Sequence, residues 1–411
     1  MKTDLDKLMK KHNVDAIFII GAAQHNPSMV YFVGTAHVSD AILIKQRGKD
    51  AVLFHYPMER EEAAKSGLKL VSMTKYPLHD LLKQAGGNYL EAFVLRLKLM
   101  LEEMKLTRGR VALYGKDDIG PFYSILNRLQ ELMPELQFAG FVRDEILMNA
   151  MMTKDAGEIE HIRAMGRVTT DVVAKTADYI TGHKTKGGVV VHKDGSPVTI
   201  GEVKNLIQLW LAERGAENPE GTIFAIGRDA GIPHSVGNPS DPLQLGQTIV
   251  YDIYPCEAGG GYYYDFTRTW SLGYVTDEAQ QLYDQVRQVY DTISAELKVN
   301  APFYKYQERA CALFEGMGHP TIQSDPAVER GYVHSLGHGI GLRVHEKPWA
   351  SAVNPSPTDI LAPGSVFTLE PGLYYPERGM GVRIEDSWWV TPDGEFEILA
   401  EFPKDLLLPM K

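Results

Sequence analysis

Residues 252–269 read DIYPCEAGGGYYYDFTRT, and the rest of the chain is read outward from this stretch. An apolar run of Thr248, Ile249, Val250 and Tyr251 precedes it, with the composition of a buried strand. Asp252 ends that run, and Gly259, Gly260 and Gly261 supply a turn. Tyr262, Tyr263 and Tyr264 form a second β-rich run that leads to Asp265. Two strands joined by a Gly-rich turn bring two acids, distant in sequence, onto one sheet face. Carboxylates so placed repel one another and are costly to bury unless a cation lies between them. The hairpin therefore predicts a metal site whose remaining ligands come from other segments.

The chain has 411 residues, too many for one ordinary core, so two domains are expected. Its hydrophobic content of 44% and charged content of 23% are those of a soluble globular protein. A formal net charge of −11 argues against nucleic acid or an anionic membrane surface as partner. The two cysteines, Cys256 and Cys311, supply neither a disulfide framework nor a thiolate zinc site. The first residues, MKTDLDKLMKKHNVD, lack the apolar centre of a signal peptide. No apolar run approaches the roughly 18 residues that span a bilayer. A cytoplasmic location is the expectation.

Residues 1–148 read as a small α/β domain. A helix is expected near Leu5, and β-rich runs at Ala16 to Ile20, Tyr31 to Val33, Ala41 to Ile44 and Ala51 to Phe54. His25, His37 and His55 are scattered there and do not form a ligand set. Residues 149–411 read as helices combined with long antiparallel strands, an α+β pattern. Thr153 is expected to cap a long helix carrying Ile159, Ile162, Val168 and Val172 on one face. Later come the segments VHSLGHGIGLRVH from Val333, SVFTLEPG from Ser365 and GVRIEDSWWV from Gly381.

Five residues able to ligate a metal stand at strand ends or Gly-rich turns: Asp252, Asp265, His338, Glu370 and Glu385. Isolated acids at turns are usually solvated, and lone histidines are usually structural. Here each sits immediately beside an apolar β run, and the pattern repeats in separate segments. Four carboxylates with one imidazole suit two divalent ions such as Mn²⁺, Co²⁺, Fe²⁺ or Zn²⁺. Two such ions about 3.5–4 Å apart can bridge a water and lower its pKa toward neutrality.

Through DIYP…YYYDFTRT, HSLGHGIGLRVHE, FTLEPGLYY and GVRIEDSWWV, the second half resembles the pita-bread metallopeptidase family. That family includes methionine aminopeptidase, prolidase, Xaa-Pro aminopeptidase and creatinase. The first half resembles the N-terminal domain of the creatinase and prolidase branch. The resemblance implies a pita-bread (creatinase/aminopeptidase) catalytic fold after an α/β N-terminal domain, and a homodimer. It implies two divalent metal ions, manganese first among the candidates. Asp252 would chelate one ion, Asp265 and Glu385 would bridge both, and His338 and Glu370 would complete the second. Glu370 also matches the general base. His234 (in IPHSVGN) matches a histidine near the scissile peptide, His345 one that stabilises the intermediate, and His334 one of the proline-specific branch. Arg383 and Thr267 match groups that orient the ligands. Trp349 stands where some prolidases carry an arginine for the dipeptide's carboxylate, so strict dipeptidase activity would need Lys347 or Arg343 in that role.

The implied function is metal-dependent hydrolysis of the bond between an N-terminal residue and proline, with a proline-containing peptide as partner. One alternative is a non-peptide hydrolase or lyase on the same fold. Another is a catalytically inactive binding module, against which the complete ligand set counts. A nucleotide-loop reading of GHGIG fails, because no strand–loop–helix unit with a distal acid surrounds it.

Overall fold

The computed structural model describes residues 4–351 and 353–410. It divides into two compact units, Met1–Met151 with Gly259–Gly261, and Met152–Ala258 with Tyr262–Lys411.

The first unit is built on a six-stranded mixed sheet. In spatial order its strands are Lys69–Ser72, Val52–His55, Ala41–Gln46, Ala16–Ile20, Gly109–Gly115 and Leu136–Ala139. Ala41–Gln46 runs antiparallel to both neighbours, and the remaining pairings are parallel. The central strands are buried along most of their length, as their Ile, Leu and Phe content requires. Helices Tyr89–Glu103 and Ile119–Leu132 contribute Val94, Leu97, Met100 and Leu129 to the same core.

Tyr31, Phe32 and Val33, expected as a strand, end the helix Pro27–Val33 instead. Asn26 accepts a hydrogen bond from the Met29 N–H, and Pro27 occupies the first turn. These start signals outweigh the β preference of three bulky residues.

The second unit carries the helices Ala156–Thr181, Ile200–Ala212, Asp277–Glu296 and Tyr304–Gly316 around two principal sheets. One sheet orders Thr222–Ile226, Thr248–Ile253, Phe266–Leu272 and Leu407–Leu408. The other orders Glu346–Trp349, His338–Gly339, Val366–Leu369, Asp386–Val390 and Phe396–Ile398. The long helix is capped by Asp155, not Thr153: Asp155 accepts from the Glu158 N–H, and the Glu158 carboxylate accepts from the Asp155 N–H. This reciprocal box satisfies two donors at once, while Thr153 bridges to Ser365. Ile159, Ile162 and Val172 are buried as expected, and Val168 is partly so.

The hairpin also differs in detail. Asp252 lies inside the strand Thr248–Ile253, and the returning strand begins at Phe266, after Asp265. Tyr262 to Tyr264 do not form a strand. Tyr263 and Tyr264 pack into the core with the long helix, which burial rewards more than ladder pairing would. The register sets Asp252 opposite Thr267. Because side chains alternate along a strand, Asp265, Thr267 and Thr269 share the face that carries Asp252. Among the described residues no helix is long and apolar enough to cross a membrane.

Candidate metal centre

Five separate strand ends converge on one cavity of about 400 Å³ in the second unit. Its wall includes Asp252, Asp265, His338, Glu370 and Glu385, and also His234, His334, His345 and Arg383. Every residue singled out in the sequence as a candidate ligand or catalytic group is thus brought to the same space.

Asp265, His338 and Glu385 each offer a ligand atom, and these atoms lie within 4.8 Å of one another. All three residues are buried. Nε2 of His338 lies 3.4 Å from Oε1 of Glu370 and 3.6 Å from Oδ2 of Asp265. The glycines beside His338 make this approach possible: a Cβ on Gly337 would strike the carbonyl of Thr368, and one on Gly339 that of Lys347.

The protonation of His338 follows from its contacts. Its Nδ1 faces the Gly339 carbonyl at 3.0 Å, and a carbonyl only accepts, so Nδ1 carries a proton. Burial, then the neighbouring His345, push its pKa down to about 3, so the ring is neutral. Nε2 therefore presents a lone pair toward two carboxyl groups. Burial also raises the carboxylates: Glu370 to about 8, and Asp265 and Glu385 well above their ordinary range, Asp265 raised further by Asp252 and then Glu370, and Glu385 by Asp265, Glu370 and Asp252.

Two more atoms lack partners. Oδ1 of Asp252 and Oε1 of Glu385 are buried and accept no hydrogen bond, an expensive state for a carboxylate oxygen. A neutral imidazole lone pair, crowded carboxylates and two orphaned oxygens form a donor set that divalent cations fit.

A hydrogen-bonded frame holds the acids in place. Arg383 donates to Oδ2 of Asp252, to Oγ1 of Thr267 at 3.2 Å and to the Tyr374 hydroxyl at 2.6 Å. Thr267 in turn donates to Oε2 of Glu385 at 2.6 Å. Thr368 donates to Oε1 of Glu370 at 3.3 Å and accepts from the His338 N–H at 3.0 Å. Tyr374 is a member that the motifs did not reveal. Its hydroxyl reaches Nε2 of His334 at 2.8 Å, and the other ring nitrogen of His334 faces the Ser335 carbonyl at 2.7 Å. The pairing Gly372–Tyr375 with Met380–Arg383 creates this contact, and only the tertiary register could announce it.

Toward solvent, His234 and His345 are exposed in the cavity wall. The His345 ring lies 4.3 Å from that of His338 and stacks on Trp349 at 6.3 Å. Lys347 is buried and pairs with Asp359 at 3.3 Å, and Arg343 is exposed; neither lines the cavity. Among the described residues, Arg383 is the one Lys or Arg in that wall.

The sequence model of metallopeptidase family M24 matches residues 160–392. The putative dipeptidase YkvY of Bacillus subtilis is 31% identical over 288 residues, 69% of this chain and 70% of that protein. The Xaa-Pro dipeptidase of Pyrococcus furiosus is 25% identical over 403 residues, 96% of this chain and 97% of that protein. Among solved structures, the prolidase from Pyrococcus furiosus superposes with a TM-score of 0.70 at 22% identity, covering 97% of this chain and 99% of that one. The X-Pro aminopeptidase from Thermotoga maritima gives 0.72 at 24% identity, covering 99% of each. These structures share the pita-bread architecture along nearly the whole chain, and they include both a dipeptidase-type and an aminopeptidase-type protein.

Proposed function

The chain belongs to metallopeptidase family M24, and we propose that it removes an N-terminal residue preceding proline, using two divalent cations, manganese first among them. Asp252, Asp265, His338, Glu370 and Glu385 would hold the cations. The observation that carries this reading is the neutral Nε2 of His338 facing two carboxyl groups beside two orphaned carboxylate oxygens. Divalent cations held there would act as Lewis acids, polarising the scissile carbonyl and acidifying the attacking water.

The protein's own groups then handle protons and position. Glu370, half-buried in the cavity wall beside Thr368, takes a proton from the attacking water and passes it to the proline nitrogen as the bond breaks. His345, exposed in the wall, donates an N–H to the carbonyl oxygen as negative charge gathers on it. His234 binds the peptide flanking the scissile bond. Both ring nitrogens of His334 are already engaged, so that ring supports substrate by packing. Arg383 orients Asp252 and, through Thr267, Glu385.

A dipeptide's carboxylate needs a cation at the far end of the site. Lys347 is held by Asp359 and Arg383 by Asp252, and Trp349 fills the wall where a cation would stand. We therefore favour Xaa-Pro-Yaa peptides over Xaa-Pro dipeptides.

The test strips the protein with chelator, restores manganese and compares matched Xaa-Pro, Xaa-Pro-Yaa and Xaa-Ala-Yaa series. Release of the N-terminal residue is expected only with proline second, and faster from the longer peptides. No release from any series with manganese, cobalt, iron or zinc would overturn the peptidase reading. Cleavage of dipeptides alone would overturn the length preference.

A further inference from the structure

The first unit holds a second cavity, of about 770 Å³, which the proposed peptidase chemistry leaves without a role. It lies where the strands Ala16–Ile20, Val52–His55, Lys69–Ser72 and Gly109–Gly115 end, flanked by the starts of helices Tyr89–Glu103 and Ile119–Leu132. The carboxyl ends of parallel strands are where sheets of this kind bind ligands. Its size falls within the roughly 300–1,000 Å³ of small-molecule sites.

The wall is chemically divided. Arg96 lines it with only 4% of its surface exposed. Its Nε donates to the Tyr76 carbonyl at 3.0 Å and its Nη1 to the Tyr56 hydroxyl at 2.8 Å, both neutral acceptors. Among the described residues, no carboxylate lies within ion-pair distance of it. Tyr56 and Phe93 stack about the guanidinium, with centroids at 5.8 and 5.9 Å. A buried cation that meets only neutral acceptors is an unfinished site for an anion. The starts of the two flanking helices add positive potential to the same space.

Leu97 and Ile125 give the cavity an apolar wall. At its mouth stand the exposed acids Asp40 and Asp117, with exposed Lys116 beside Asp117, so the two acids leave the mouth net negative. Partial burial, then the negative charges of Glu59 and Asp117, raise the Asp40 carboxyl, while Arg96 is near enough to oppose them. A cation placed at the mouth would relieve that repulsion. Anion-seeking at the floor, apolar in the middle and cation-seeking at the mouth describe a zwitterion with an apolar body.

We propose that this cavity binds a free α-amino acid with a large apolar side chain, its carboxylate on Arg96 and its ammonium at Asp40. The assignment stands apart from the peptidase reading, because every group it uses lies in the first unit.

The test is calorimetric titration of the full chain, stripped of metal, with L-phenylalanine, hydrocinnamate and phenethylamine. Phenylalanine is expected to bind best, hydrocinnamate more weakly and phenethylamine weakest. Arg96→Gln should weaken phenylalanine and hydrocinnamate by about tenfold or more, the worth of a charge-assisted pair. Because Arg96 also ties Tyr56 to Tyr76, Ser124→Trp, at an exposed position of the cavity wall, provides a variant that blocks the cavity without disturbing the core. It should abolish binding. Asp40→Asn should weaken phenylalanine and leave hydrocinnamate unchanged. Absence of phenylalanine binding, or binding untouched by Ser124→Trp, would overturn the proposal. Full peptidase activity after Ser124→Trp, with binding lost, would support the site's independence. Since titration uses metal-free protein, an inactive peptidase and an empty cavity are distinguishable failures.

Discussion

The Tyr374 hydroxyl stands between two partners, accepting from Arg383 at 2.6 Å and donating to Nε2 of His334 at 2.8 Å. The direction is forced: a guanidinium only donates, so the phenol's own proton must go to histidine. His334 accepts it as a neutral ring, because burial and then the Arg383 charge push its pKa down to about 3. The phenol thereby fixes the tautomer and tilt of a cavity-wall imidazole while holding the arginine on Asp252. Tyr374→Phe keeps the ring and removes both bonds. We expect kcat/KM to fall about 10–100-fold, the usual cost of losing a group that orients ligands, together with a lower melting temperature, because Nε2 of His334 loses its buried partner. Steady-state kinetics on an Xaa-Pro-Yaa peptide checks this, and unchanged kinetics would remove Tyr374 from the site.

Glu370 tests the proposed proton transfer most directly. Glu370→Gln preserves shape and the hydrogen bond from Thr368 but cannot accept a proton. Turnover should drop about 10²–10⁴-fold, while the bound-metal content falls by much less. Near-normal turnover in that variant would transfer the base role to another residue.

Much of this cavity's wall could be read before the fold, because its candidate ligands announce themselves one by one. Asp252, Asp265, His338, Glu370 and Glu385 each interrupt or border an apolar β run, and an acid is expensive there without a purpose. What stayed hidden depends on register and competition. Tyr374 reads as one more aromatic of a β run until Gly372 pairs with Arg383. Tyr262 to Tyr264 look like a strand by composition, yet core packing claims Tyr263 and Tyr264. At Tyr31 to Val33, the local cap of Asn26 and Pro27 was legible and outweighs the β-prone residues that follow it.

Thr267 couples two parts of the frame, donating to Glu385 at 2.6 Å and accepting from Arg383 at 3.2 Å. Thr267→Val keeps the volume and removes the hydroxyl, freeing the Glu385 carboxylate to rotate. Metal affinity should weaken about 10–100-fold, read by competition with a chromogenic chelator. Thr269→Val is the comparison: among the described residues its hydroxyl bonds the Arg383 backbone alone, so it should cost stability and leave affinity nearly intact. Equal affinities in the two variants would deny Thr267 its positioning role.

The last prediction concerns pH, and its sign reverses when cations are added. In the metal-free chain burial raises Glu370 from an ordinary 4.5 to about 8, and raises Asp265 and Glu385 in the same direction. The folded state then holds protons that the unfolded chain has already released. The stability this lends is complete below the ordinary carboxyl values and is lost as pH rises through the folded ones. Chelator-treated protein should therefore melt at a lower temperature at about pH 8.5 than at about pH 6, by on the order of 5 °C. Bound divalent cations favour the ionised carboxylates and depress the same pKa values. The loaded protein should accordingly hold its melting temperature across that window and lose it only on acidification. Cation binding near neutral pH should also release protons, seen as a binding enthalpy that varies with the buffer's ionisation heat. Parallel melting profiles with and without manganese, together with no proton release, would mean that these carboxylates do not hold the cation.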